Sequence, residues 1–129
     1  MSAVDDVLAA ARAGLVRLTP QEAPALDGAL FVDIRPAHDR AAEGEIPGSV
    51  PVERIVLEWR LDPHGAHRMN GFTEDTVVVV VCNESYASSL AARDLRALGL
   101  TLATDLVGGF RAWAAAGLPV RPGPTAAIT

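Results

Sequence analysis

Residues 77 to 81 read VVVVV, and residue 82 is the chain's only cysteine. With Thr76 in front, the run is β-branched throughout, which is the chain's strongest strand signal. It does not alternate with polar residues, so both faces of the strand must be buried. That is the signature of a central parallel strand covered by helices on both sides. In such sheets ligands bind outside the carboxyl ends of the strands, and Cys82 follows the run at that end. Two readings of Cys82 stand open: an inert buried thiol, a common state of free cysteine, and a side chain on a binding edge.

Helical patterns flank the run. Residues 2 to 13 place Val4, Val7, Leu8 and Ala11 on one face. Thr19, Pro20 and Glu22 read as a capping box opening a short helix to about Asp27, with Gly28 as its stop. Leu30 to Ile34 is a strand-length apolar run, followed by a helix over 36–43. Gly44, Pro47 and Gly48 punctuate a turn before a short strand at Val50 to Val52. Residues 53 to 61 read as a helix with Ile55 and Trp59 on one face, and 62 to 71 as a loop. Tyr86 to Leu98 is a helix with Leu90, Leu95 and Leu98 facing inward and Gly99 just past its end. Thr104 to Val107 is a last strand, 108 to 117 a last helix, and 121–129 a tail expected to fray. Strands alternating with helices predict an α/β domain with a mostly parallel sheet.

At 129 residues and 50% hydrophobic, the chain is long and apolar enough for one domain with a real core. The net charge is −5, and its arginines are scattered rather than gathered into the basic stripe of a nucleic-acid binder. No apolar run approaches the ~20 residues that cross a bilayer. Asp5 and Asp6 stand where a signal peptide is basic, and a single cysteine fits a reducing compartment. The expectation is a cytoplasmic protein without nucleic-acid or membrane partners. His64 and His67 have a metal-like spacing, but with no second cysteine and no carboxylate cluster they predict no metal site, and no cofactor is expected.

The loop Cys82-Asn83-Glu84-Ser85-Tyr86-Ala87-Ser88 joins the strand to a helix. Wrapped around the sulfur, its successive N–H groups would form an anion nest, and the helix adds the positive end of its dipole. Both favour thiolate, the nucleophilic form, over thiol.

Four segments then resemble the single-domain rhodanese-like family: Asp33-Ile34-Arg35; the turn Gly44-Glu45-Ile46-Pro47-Gly48-Ser49; the loop Cys82 to Ser88 after the valine strand; and Val107-Gly108-Gly109-Phe110-Arg111-Ala112-Trp113. Together they cover residues 17–120 and leave residues 1–16 outside as an N-terminal helix. The resemblance implies a three-layer fold with about five strands, helices on both faces, and sulfurtransferase activity. In that reading Cys82 is the nucleophile and persulfide carrier. The N–H groups of Asn83, Glu84, Ser85, Tyr86, Ala87 and Ser88 stabilise the persulfide, with hydroxyl bonds from Ser85, Tyr86 and Ser88 if they turn inward. The partners it implies are a small sulfur donor or a persulfide-bearing protein, and a thiol acceptor. Asp33, Arg35, Phe110 and Trp113 read as structural.

Two departures bear on the donor. The loop holds no arginine or lysine and carries Glu84, which would repel an anionic donor and disfavour the thiolate if turned inward, and is a solvated carboxylate if turned out. The family's turn histidine is replaced by Glu45. Thiosulfate is therefore expected to be a poor donor. Positive charge could come from Arg54, Arg60, His64, His67 or Arg68, with Arg60 the favoured candidate among them, although surface charge on a helix and long loop is the commoner reading for each. A cysteine-dependent phosphatase needs C-x5-R, and Ser88 stands at the arginine position. A thiol-dependent arsenate reductase would need an external thiol. The other class left open is a non-catalytic module that binds a partner or senses oxidants through Cys82.

Overall fold

The valine run forms a strand, Val78–Val81, with every side chain buried. The computed structural model describes residues 2–129. In chain order the elements are α1 (Ala3–Ala13), β1 (Leu30–Asp33), α2 (Ala37–Glu43), β2 (Val50–Pro51), α3 (Leu57–Leu61), β3 (Val78–Val81), α4 (Tyr86–Ala97), β4 (Thr104–Asp105) and α5 (Gly109–Ala115). The strands run parallel in the order β2-β1-β3-β4. β3 is therefore central, with Leu30 opposite Val78 and Asp33 opposite Val81.

Successive side chains of β3 feed two separate cores, as the two-residue period of a strand requires. Val78 and Val80 pack with Leu57, Leu61, Ala91, Ala92 and Leu95. Val79 and Val81 pack on the other face with Leu106, Phe110 and Trp113. Cys82 continues the phase of Val78 and Val80 and belongs to the first core. The three layers are helix, sheet and helix.

The sheet has four strands where about five were expected. At each edge the next segment makes one bridge and no more: Val52 with Ile128, and Leu18 with Leu106. The capping box at Thr19 and Glu22 forms in both directions, at 2.9 and 3.2 Å. It opens only a single 3-10 turn over Ala23–Ala25, because Pro24 has no N–H to continue a helix. Residues 53 to 61 split into a 3-10 turn, Arg54–Val56, and α3. The change of pitch rotates the face. Leu57 and Leu61 are buried, while Ile55 and Trp59 are 83% and 60% exposed. On α1 only the carboxyl half docks: Ala11 is buried and Val4 and Val7 are exposed. The buried face of α4 is Ser88, Ser89, Ala91, Ala92 and Leu95, with Leu90 and Leu98 half-buried.

The tail expected to fray is anchored. Glu45, in the turn after α2, is fully buried. Its carboxylate accepts from Arg40 at 2.7 Å, Arg121 Nε at 3.1 Å, and the N–H and hydroxyl of Thr125 at 3.0 and 2.7 Å. Ile128 exchanges backbone bonds with Pro51 and Glu53. The tail carries no periodic pattern, and its polar anchors are assembled only by the folded turn.

Burial pushes the Glu45 carboxyl up, but the bonds from Thr125, Arg40 and Arg121 outweigh it and hold its pKa at about 2, against 4.5. A carboxylate whose folded pKa lies below its unfolded value stabilises the fold above the unfolded pKa and loses that contribution as pH falls through the folded one. Glu45 should thus take on the order of 3 kcal/mol from stability as pH falls through this window. In Glu45→Gln that part of the pH–stability curve should flatten and stability at pH 7 should drop, since Arg40 loses its buried partner. Chemical denaturation across the window checks this; an unchanged slope in the variant contradicts it.

Candidate active site

Cys82 is the last residue in phase with the core and the first of the connection from β3 to α4. It is 8% exposed. Its Sγ accepts from the backbone N–H of Ser85 at 3.2 Å and of Ser88 at 3.3 Å. Of the six N–H groups expected to form the nest, these two reach the sulfur. The hydroxyls do not. Ser85 Oγ accepts from the N–H of Gly108 at 3.1 Å, Ser88 Oγ donates to Asp105 at 2.8 Å, and Tyr86 stands exposed at the mouth.

Ser85 caps α4 with φ 72° and ψ 21°, the one non-glycine residue with positive φ among the described residues. This left-handed conformation costs an L-residue about 1–2 kcal/mol and persists only where surroundings over-determine it. They do so here. Besides the Gly108 bond, the Ser85 carbonyl accepts from Arg12 Nη2 at 2.8 Å. Ser89 Oγ lies 2.9 Å from the same carbonyl.

The loop rests on the start of α5. Phe110 and Arg111 donate their N–H groups to the carbonyls of Cys82 and Asn83 at 2.9 and 3.2 Å. Glycine at 109 makes that approach possible: a Cβ there would sit 2.5 Å from the Cys82 carbonyl oxygen and 2.6 Å from that of Asn83.

The sulfur opens into a cleft of about 410 Å³ lined by Ile34, Arg35, Pro36, Arg54, Cys82, Asn83, Glu84, Tyr86, Ala87 and Arg111. Three arginines therefore border a loop that itself carries no cation. Arg35 is buried, forks onto Asp33 at 2.7 to 3.2 Å and donates to the Gly44 carbonyl at 2.7 Å. Its remaining Nη1 has no hydrogen-bond partner, and the guanidinium lies 4.0 Å from the Phe110 ring centroid, a cation–π contact. Arg54 pairs with Glu58 and Asp94 at 2.7 and 3.3 Å. Arg111 is shared between Glu43 at 3.0 Å and Glu84 at 3.0 Å. Its hydrogen bonds lower the Glu43 pKa and raise its own. Glu84 is thus tied to α5 at the rim.

Arg60 is elsewhere. It donates to the carbonyls of Thr129 and His67 and does not line the cleft, because α3 turns it towards the carboxyl terminus. His64 pairs with Glu74, and Arg68 holds the carbonyls of Pro63 and Phe72; both brace the loop before β3. Arg111 escaped the sequence reading because it is remote in sequence from Cys82. The signal was its place two residues after Gly109 in the closing motif.

The rhodanese-like domain family matches residues 19–116. The chain belongs to that family. An adenylyltransferase and sulfurtransferase from Zea mays is 33% identical over 90 residues, covering 65% of this chain; the chain spans 18% of that relative's length. Among solved structures, a Rhodopseudomonas palustris protein of unknown function, described as a possible tyrosine phosphatase, superimposes with a TM-score of 0.84 at 32% identity over 93% of this chain and 95% of its own. The polysulfide-sulfur transferase homodimer of Wolinella succinogenes does so at 0.73 and 26% identity, over 92% of this chain and 86% of its own. A thiosulfate sulfurtransferase from Pseudomonas aeruginosa gives 0.65 and 27%, over 83% of this chain and 19% of its own. A rhodanese-like domain with such relatives supports sulfur transfer in general. No helix of the described residues is long and apolar enough to cross a membrane.

Gly109→Ala tests the seat of the loop. The added methyl meets two loop carbonyls and forces an unfavourable φ, so stability should fall by more than about 1 kcal/mol and alkylation of Cys82 should change with it. Denaturation and iodoacetamide labelling measure the two; wild-type values for both would mean that the loop does not rest on this glycine.

Proposed function

We propose that this rhodanese-like chain is a sulfurtransferase that carries sulfane sulfur as a persulfide on Cys82. The observation that carries the reading is the Cys82 sulfur at the mouth of the cleft with two backbone N–H groups aimed at it. Those dipoles are in place before the reaction, so they favour the anionic sulfur without reorganising.

The thiolate attacks the outer sulfur of the donor. A Cys82 S–S bond forms as the donor's bond to that sulfur breaks, and the leaving group departs with the electron pair: a thiolate from a persulfide, sulfite from thiosulfate. An acceptor thiolate then attacks the outer sulfur of the Cys82 persulfide. The acceptor leaves as a persulfide, and the Cys82 thiolate is restored. No external oxidant or reductant enters the cycle.

The charges favour a persulfide, small or protein-borne, over thiosulfate as donor. Each arginine at the cleft already faces a carboxylate: Arg35 Asp33, Arg54 Glu58 and Asp94, and Arg111 Glu43 and Glu84. A dianion must displace one of these partners and approach Glu84 as well. Phosphoryl transfer lacks its anion fork. Ser88 occupies the position that a phosphatase loop gives to arginine, and its side chain is spent on buried Asp105.

Intact mass spectrometry after incubation with thiosulfate, polysulfide or a low-molecular-weight persulfide tests the reading. Cys82 should gain one sulfur atom, ~32 Da, through its thiolate chemistry, and lose it to excess thiol; Cys82→Ala should gain nothing. No adduct with any donor leaves the non-catalytic module as the better reading. Glu84→Gln, which takes one carboxylate from Arg111, should raise kcat/KM for thiosulfate several-fold, about 1 kcal/mol in transition-state terms, with little change for the persulfide. Equal responses to the two donors would sink the charge argument.

A further inference from the structure

Two arginines from outside the matched region support the Cys82 loop, Arg12 directly and Arg17 through Asp105. The family match begins at residue 19. Arg12 lies on the last turn of α1, and Arg17 in the segment that follows. Arg17 pairs with buried Asp105 at 2.8 and 3.3 Å, and Asp105 in turn accepts from Ser88 and Ser89 of α4 at 2.8 and 2.7 Å. Arg12 spans the first turn of α4 directly. Its Nη2 donates to the Ser85 carbonyl at 2.8 Å and its Nε to Ser89 Oγ at 3.0 Å, with its guanidinium 5.7 Å from the Tyr86 ring centroid.

The contact falls on the residue whose backbone is strained and whose N–H faces the sulfur. Gly108 holds the hydroxyl of Ser85 and Arg12 holds its carbonyl. With its hydroxyl and carbonyl gripped, Ser85 is fixed in the left-handed region, and its φ of 72° then sets the direction of the N–H, towards Sγ, relative to those held atoms. Released, an L-serine relaxes towards a commoner conformation and its N–H turns away. We propose that Arg12 is a positioning residue for sulfur transfer: from α1, it locks Ser85 so that one of the two N–H donors stays on the sulfur of Cys82. The proposal rests on the sulfur-transfer reading for its purpose, but its geometry is independent of any donor.

The test uses the full chain with Arg12→Ala and Arg12→Lys. The pH profile of Cys82 alkylation by iodoacetamide reports the thiolate without requiring sulfur transfer, and persulfide loading by mass reports the transfer itself. Arg12→Ala should remain folded by thermal melting, alkylate about five-fold more slowly at neutral pH, the effect of one lost hydrogen bond, and shift its profile to more alkaline pH. Persulfide loading should slow by a similar factor. Arg12→Lys keeps the charge without the two-pronged fork and should fall between. An Arg12→Ala profile that superimposes on the wild type overturns the proposal. Full recovery in Arg12→Lys overturns it too, by tracing the effect to charge alone. If Arg12→Ala does not fold, the Lys variant carries the test by the same comparison. Wild-type protein that takes up no sulfur while its alkylation still responds to Arg12 would remove the sulfur-transfer reading and leave the lock standing.

Discussion

The side chains of Val78–Val81 divide between two cores on opposite faces of the sheet, and neither face of β3 touches water. At about 1.5–3 kcal/mol per buried aliphatic side chain, the four contribute on the order of 10 kcal/mol before chain entropy is counted, an upper estimate by the choice of unfolded state. Such a strand tolerates no polar interruption and no slip of register, because a one-residue shift would exchange the two cores. Cys82 is the first residue beyond the ladder that still keeps the inward phase, so the thiol is half held by the core and half presented to the cleft.

Past that point the backbone is shaped by others. The loop donates two N–H groups to its own sulfur, but the angles that direct them are set by Gly108, by Arg12, and by the start of α5 beneath Cys82 and Asn83. Asp105 gathers the rest. Its carboxylate stands at the end of β4 and takes both serines of the buried face of α4 together with Arg17. A buried carboxylate without such partners would be costly; with them it joins β4, α4 and the segment after α1. The geometry around the sulfur is a tertiary property of four elements rather than a local property of the loop.

That division explains what the sequence made legible. The central strand, the helix after it, the parallel order and the cysteine's edge position all follow from periodicity within short windows, and the four family-like segments lie within such windows too. What stayed hidden were pairings across long separations. Arg12 and Ser85 are 73 positions apart, Arg111 and Glu84 are 27, and Thr125 and Glu45 are 80. Glu45 looked like a lost histidine and is the anchor of the tail. Arg60 looked suitable because it lies just upstream of β3, yet a five-residue α3 behind a 3-10 turn rotates it away while leaving Arg54 on the cleft. Pattern locates elements; the facing of a charged side chain on a short helix depends on where its first turn begins.

The charge at the cleft is where these threads meet the chemistry. A cradle whose own residues lack a cation gains three, from the segment after β1, the turn before α3, and α5, but each comes with its counter-charge. These pairs are not equal competitors for an anion. Arg35 is buried with Asp33, and separating them would strand a charge in the core. Arg54 and Arg111 sit in partly exposed pairs, which are weak in water and weaker in salt. An anion that draws Arg111 away also frees Glu84 at the rim, two residues from the sulfur, so the gain of one attraction brings back one repulsion. Under the proposed function, a persulfide, with one negative charge rather than the two of thiosulfate, meets less of both effects. The two N–H groups aimed at Sγ take no part in the ion pairs at the rim, so under the proposed sulfur transfer the loop would stabilise a sulfur on Cys82 without favouring a small dianion as its donor.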